Sequence, residues 1–368
     1  MKTRYLIILL FFLLLLPVII GCSADSKSGG EIVSDILGRE VTVPGNIERI
    51  VAIGPGALRL CVYSGLVEKV VGVEQFEINE AIGRPYKIAY PALAELPVIG
   101  QGGPNNAPDP EKILNVTPDI IFSTYATDSA AADELQSKTG IPVVVISYSE
   151  LGFGMTDIFG ELVQDSLLLI GDVTGQVERA QEVIDFIRQA QQDLDARTKD
   201  IPDADKPSVY VGGLGSRGTH GIESTQGQYS LLDAIHAKNV VDETGEEGSV
   251  MVDKEVLLEW DPDYIFIDQN GYAAVLEDYN KNPTFYESLS AVKNGNVYSQ
   301  LPFNYYNTNL GTAIADAYFL GKIVYPDSFA DIEPDIKADE IYQALIGLSV
   351  YDQMANDFIP FGRLTLGD

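Results

Sequence analysis

Few residues in this chain combine reactive chemistry with a setting that would expose it. Only two of the 368 residues are histidines. One, His220, shares with Arg217 the stretch Gly212–Thr225, which reads GGLGSRGTHGIEST. Its glycines let the backbone approach a ligand closely. A guanidinium fork beside an imidazole suits a carboxylate, an oxyanion or the acidic face of a metal chelate. The plainer alternative is a glycine-rich turn whose Arg and His bond locally. Arg59 ends a second break, Gly54-Pro-Gly-Ala-Leu-Arg59, directly after an apolar run. It is either a cation near a cleft or a surface helix residue. Gly102 lies in Ile99–Asn106, IGQGGPNN, too rich in Gly and Asn for helix or strand. Tyr125, Tyr305 and Tyr306 fall in two further loops; a phenol offers packing area with a polar tip, and a phenolate can bind ferric iron. With 19 tyrosines in the chain, an amphipathic loop aromatic explains each nearly as well. His236 reads as a core or surface residue, and Trp260 as structural. Gly212 and Gly215 have the wrong spacing for a dinucleotide fingerprint, and no phosphate-binding P-loop occurs.

The elements that must position these residues carry an internal repeat. Residues 109–122 read DPEKILNVTPDIIF and residues 253–266 read DKEVLLEWDPDYIF, 144 positions apart. Each is a helix-to-strand unit. Asp109 and Asp253 stand where an N-cap belongs, and Pro110 fits the first helical position. Glu111 and Glu255 occupy the first turn, favoured by the helix dipole. Pro118 and Pro262 stop each helix, and Asp119–Phe122 and Asp263–Phe266 are short buried strands. A unit repeated once, a domain-length apart, predicts two similar lobes with a site between them.

The rest of the chain agrees. Residues 35–42 predict a hairpin turning at Gly38. Strands are expected at 49–53, 70–73, 142–147, 208–211, 239–241 and 296–298, and helices at 57–64, 130–139, 228–235 and 310–324. Residues 156–199 keep apolar side chains at three- and four-residue steps, predicting one long helix or two in sequence, interrupted near Gly171. Strands alternating with helices give α/β lobes with largely parallel sheets. Ligands then belong outside the carboxyl ends of the strands, at loops 54–59, 100–106, 125–128, 212–225 and 303–307. The expected division is residues 1–21 as a leader, 22–34 as a tether, 35–155 as the first lobe, 156–200 as the connecting helix and 201–368 as the second lobe.

Composition excludes several functions. The formal charge is −30, which repels nucleic acid. Lys2 and Arg4 precede an apolar run, residues 6–20, too short for a membrane span and suited to a signal peptide. Two cysteines in all leave Cys61 alone if Cys22 is modified, so no intrachain disulfide is expected, and Cys61 in its apolar context reads as a buried small hydrophobe. Two histidines and so few thiols are a thin ligand supply for a metalloenzyme.

The residues around Cys22, Ile19-Ile-Gly-Cys22, resemble a bacterial lipobox, which implies a mature chain anchored outside the cell membrane by a lipidated Cys22; an uncleaved anchor is the alternative. Arg49–Ile53, Pro110–Ile113 with Thr117-Pro-Asp119, Gly140–Val145, and Lys254–Leu257 with Asp261-Pro-Asp263 resemble the substrate-binding proteins of ABC importers for iron–siderophore complexes, haem and cobalamin, over roughly residues 35–350. The resemblance implies the helical-backbone (class III) periplasmic binding protein fold: two Rossmann-like α/β lobes bridged by a long rigid helix, closing by a small angle. It implies a monomer without catalytic machinery or resident cofactor, which captures an iron complex or corrinoid and hands it to a permease dimer. Glu111 and Glu255 match the acidic residue each lobe offers to the permease. Arg217, His220, Arg59, Tyr125, Tyr305, Tyr306 and Gly102 are the candidate ligand contacts. The missing cleft tryptophans weaken cobalamin. A basic cleft of Arg59, Arg217 and His220 would instead take an oxyanion such as molybdate or tungstate. A metalloenzyme and a structural surface protein are the remaining alternatives.

Overall fold

The computed structural model of the chain describes residues 30–78, 82–103, 106–148, 158–215 and 218–367. Cys22 and Arg217 lie outside the described residues. Strands β1 (Glu31–Ser34) and β2 (Glu40–Val43) form the expected antiparallel hairpin, with Ser34 opposite Glu40. Gly38 sits in its turn with φ +75°.

The first lobe is built on four parallel strands: β3 (Ile50–Ile53), β4 (Val70–Gly72), β5 (Ile120–Ser123) and β6 (Val143–Val145), ordered β4-β3-β5-β6. The second lobe carries β7 (Ser208–Gly212), β9 (Lys238–Asn239), β11 (Tyr264–Asp268), β12 (Val297–Gln300) and β13 (Gly362–Arg363), ordered β13-β12-β11-β7-β9. Only β13 runs antiparallel in this sheet. A separate hairpin pairs β8 (Ser224–Gly227) with β10 (Gly248–Met251). Reading β7 as the counterpart of β3 and β11 as that of β5, both sheets share one four-strand order, with β13 added.

Sheets covered on both faces need strands that are apolar throughout. Ile50–Ile53 and Ile120–Ser123 are buried at every position. Alternate residues feed different cores: Ile50, Ala52, Ile120, Phe122 and Phe266 face one continuous core, whereas Val51, Ile53 and Ile121 back the first sheet and Ile265 and Ile267 back the second. The continuous core runs through both lobes, taking in Leu167, Val183, Ile187, Leu194 and most of the helix Leu310–Val324. That last helix is apolar on all sides and buried accordingly. Cys61 is fully buried within the same core, as its context predicts.

The connecting segment is two helices, Glu161–Thr174 and Val177–Thr198. They break at Gly175, whose φ of +73° ends the first helix in the left-handed region, and not at Gly171. Gly171 instead lets the helices meet: a Cβ there would lie 2.9 Å from that of Ala180. The pair is antiparallel, since Arg188 Nε donates to Gln164 Oε1 at 2.7 Å. The 22-residue second helix, about 33 Å long, reaches from one lobe to the other. Near its start Arg179 donates to the Tyr63 carbonyl; near its end Tyr318 and His236 meet Asp193 and Asp195.

Some sequence expectations were corrected. β9 covers only 238–239 before a 3-10 turn, and the β8–β10 hairpin was not anticipated. Asp109 caps its helix, accepting from Lys112 N at 3.1 Å, but Asp253 makes no side-chain cap bond.

Candidate functional site

The lobes meet at one seam, where the loops after β3 and β4 and the turn at Gly103 receive the loop after β12. The second lobe crosses that seam with residues 303–308. Tyr306 takes φ +52° and Asn307 φ +70°, a costly conformation for residues with side chains, and Tyr306 thereby enters the first lobe. Its hydroxyl donates to Glu74 Oε2 at 2.7 Å and accepts from Gly103 N at 2.9 Å, and its ring lies 4.3 Å from that of Phe76. Glu74 Oε2 also accepts from Gly54 N at 3.0 Å.

Arg59 holds the same loop from below. It is fully buried, neither a surface residue nor a group offered to the cleft. Nη1 donates to the Thr308 carbonyl at 2.7 Å, and Nη2 to the carbonyls of Tyr305 and Tyr306 at 2.8 and 3.1 Å. The Tyr86 ring lies 5.1 Å from its Cζ. A cation that sequence reasoning placed beside the ligand is thus committed to closing the seam, because three backbone carbonyls in a buried loop need donors.

The other candidates divide. Tyr305 packs against Gly83 and Arg84 within the seam. Tyr125 is half-buried beside Gly54, where a Cβ would lie 2.5 Å from Tyr125 N. Gly102 has φ +69° and makes room for Glu74: a Cβ would lie 2.7 Å from that of Glu74. His220 is half-buried, and its carbonyl with that of Gly213 leaves room only for glycine at position 271. Glu111 and Glu255 are both exposed, each in the first turn of its helix.

Beside the seam the second lobe keeps a small polar pocket lined by Gln226, Tyr229, Ser249, Asp268, Asn270 and Asn304, among others. It is small, about 30 Å³. Asp268 Oδ1 accepts from Asn270 N at 2.9 Å, and Oδ2 from Gln300 Nε2 at 3.2 Å. Gln300 also donates to Tyr229 Oη at 2.8 Å. Behind them Asp316 accepts from Leu301 N at 3.0 Å. Burial pushes the Glu74 carboxyl up to about 7 against the bonds from Tyr306 and Gly54. It does the same to Asp268, up to about 7, and drives Asp316 well above the carboxylate range. Among the described residues the seam and its pocket therefore hold buried acids, while Arg59, which the basic-cleft alternative invoked, is committed to the loop. Sequence reasoning missed Glu74 and Asp268, although Glu74 follows and Asp268 ends an apolar strand, at the carboxyl end where ligands sit.

A model of the periplasmic binding protein family matches residues 50–302. The chain belongs to that family. Among curated relatives, the molybdate-binding protein MolA of Haemophilus influenzae is 25% identical over 348 residues, 90% of this chain and 95% of that one. The substrate-binding lipoprotein YvrC of Bacillus subtilis, an uncharacterized ABC transporter component, is 22% identical over 81% of this chain and 87% of its own. Among solved structures, MolA bound to molybdate superposes with a TM-score of 0.67 at 23% identity, covering 87% of this chain and 98% of MolA. CeuE of Helicobacter pylori with Ni(II) bound gives 0.59 at 16%, covering 86% and 96%. This periplasmic binding protein has the class III architecture, and its family and relatives are transport proteins that bind substrates rather than enzymes. Among the described residues no helix is long and apolar enough to cross a membrane.

Proposed function

We propose that this periplasmic binding protein captures a compact oxyanion of the molybdate or tungstate type at the seam between its lobes and delivers it to an ABC importer. The room in the cleft carries this reading. With residues 303–308 seated on the first lobe, the second-lobe pocket is small and polar, far from the space a siderophore or haem needs. Its lining supplies neutral hydrogen-bond donors from Gln226, Asn270, Ser249 and Thr308, suited to a small anion, and the glycine-rich loop borders it at Gly215. The relative named for molybdate supports the same choice. An iron or other metal complex is the second reading, favoured by the buried acids Glu74 and Asp268 and by the Ni(II)-bound structural relative; it requires the seam to open.

Delivery places Glu111 and Glu255, one per lobe and both exposed, against the two permease subunits, with Cys22 as the lipid anchor. Calorimetric titration with molybdate and tungstate, then with ferric siderophores and haem, tests the ligand. Heat from the oxyanions is expected; binding of ferric chelates alone would transfer the assignment to the second reading.

A further inference from the structure

The pocket's carboxyl group constrains how an anion can enter. Asp268 is the one carboxylate among the pocket's described lining residues, and no Lys or Arg is among them. It is 4% exposed. Its described neighbours offer no charge to stabilise an incoming anion: Asn270 N from its own loop, the Gln300 amide from β12, the Tyr229 hydroxyl before the helix Ser230–Ala234 and the Asp316 carboxyl from the helix Leu310–Val324. On the flanking loop stand His220 and Glu223, the latter paired with Lys254 at 3.2 Å. A tetrahedral dianion presents only hydrogen-bond acceptors, and so does a carboxylate. Two such groups in a site this small repel each other and have no hydrogen to share. A carboxylic acid there donates a short, charge-assisted O–H···O⁻ bond instead.

Resting on the oxyanion reading, we propose that Asp268 enters the complex as the neutral acid, so that each captured oxyanion takes up one proton from solvent onto the Asp268 carboxylate. Asp268 is then the residue that discriminates among ligands: an acceptor-only anion needs its proton, whereas a cationic complex would meet the carboxylate and expel that proton. The burial that already raises this group to about 7 means the proton is partly present at neutral pH. Uptake should thus be near zero at pH 5.5 and about one proton per ligand at pH 8, with affinity falling about tenfold per pH unit above 7 by linkage.

The test is calorimetric titration of sodium molybdate into the full chain at pH 8, in buffers that differ in ionisation enthalpy. Uptake of about one proton is expected in the wild type and none in Asp268→Asn, whose amide donates without titrating. Molybdate binding without proton uptake would overturn the proposal while leaving the oxyanion reading intact, as would uptake that persists in Asp268→Asn. The wild-type measurement decides even if that variant does not fold. Absence of molybdate binding in the wild type overturns the functional reading and this proposal with it.

Discussion

The two repeated units agree at the amino ends of their strands and part company at the carboxyl ends. Asp119 Oδ2 accepts from the backbone N–H groups of Glu48 and Arg49 at 2.9 Å, tying the start of β5 to the start of β3. Asp263 Oδ2 does the same for β11 and β7, accepting from the N–H and hydroxyl of Ser208 at 2.8 and 2.7 Å. Just before each proline, Thr117 and Asp261 both take positive φ, +42° and +38°, 144 positions apart like the rest of the repeat. Even here the supports differ: Arg49 donates to the carbonyls of Val116 and Thr117, while Asp261 accepts from Ser290. At the other end of the sheets the likeness stops. The first lobe presents a receiving surface of Glu74, Gly103 and Phe76; the second sends a loop into it. What must fold alike is repeated, and what must meet across a cleft is complementary.

That contrast can be broken most severely at Arg59. Arg59→Met should cost about 3 kcal/mol or more, because it strands the buried carbonyls of residues 305, 306 and 308; urea denaturation reads it, and a loss below about 1 kcal/mol would refute the clamp. The receiving surface should also impose a pH dependence. The Glu74 carboxyl titrates near 4.5 when unfolded and near 7 when folded. Its contribution is therefore complete below about 4.5 and lost as pH rises through 7, up to roughly 3 kcal/mol. Glu74→Gln should flatten the fall in thermal midpoint between pH 5 and 8; an identical slope in both proteins would show that this group does not titrate there. The shared amino ends predict near-equal losses, about 1–2 kcal/mol each, for Asp119→Ala and Asp263→Ala. A large inequality would mean that the repeat is a likeness of sequence more than of energetics. The smallest effect separates the helix starts. Asp109→Ala should lower the thermal midpoint slightly as a lost cap, and Asp253→Ala leave it unchanged, since its side chain makes no cap bond.

The amino ends were the legible part. Helix stops at Pro118 and Pro262, the apolar strands and the helix Leu310–Val324 follow from local rules of period and turn chemistry, and the structure places them where those rules do. The seam was not legible, because its partners lie far apart in the chain: Arg59 meets residues 246 to 249 positions away, and Tyr306 meets Glu74 at 232. A cation beside a glycine-rich break looks the same whether it awaits a ligand or binds a distant loop. Burial, which raises Glu74 and Asp268, is likewise a property of packing that no local window contains. The break at Gly175 in preference to Gly171 turned on which glycine takes positive φ, a choice made by the antiparallel packing of the two helices.

Arg59 grips its loop through carbonyl oxygens and touches none of the loop's side chains through a hydrogen bond. Every amino acid supplies that oxygen. The clamp is therefore indifferent to what residues 304, 305 and 307 are, provided the chain follows the same path. Asn304, which lines the second-lobe pocket, can be exchanged while the lobes still register, which makes that position the place to reshape the pocket without rebuilding the fold.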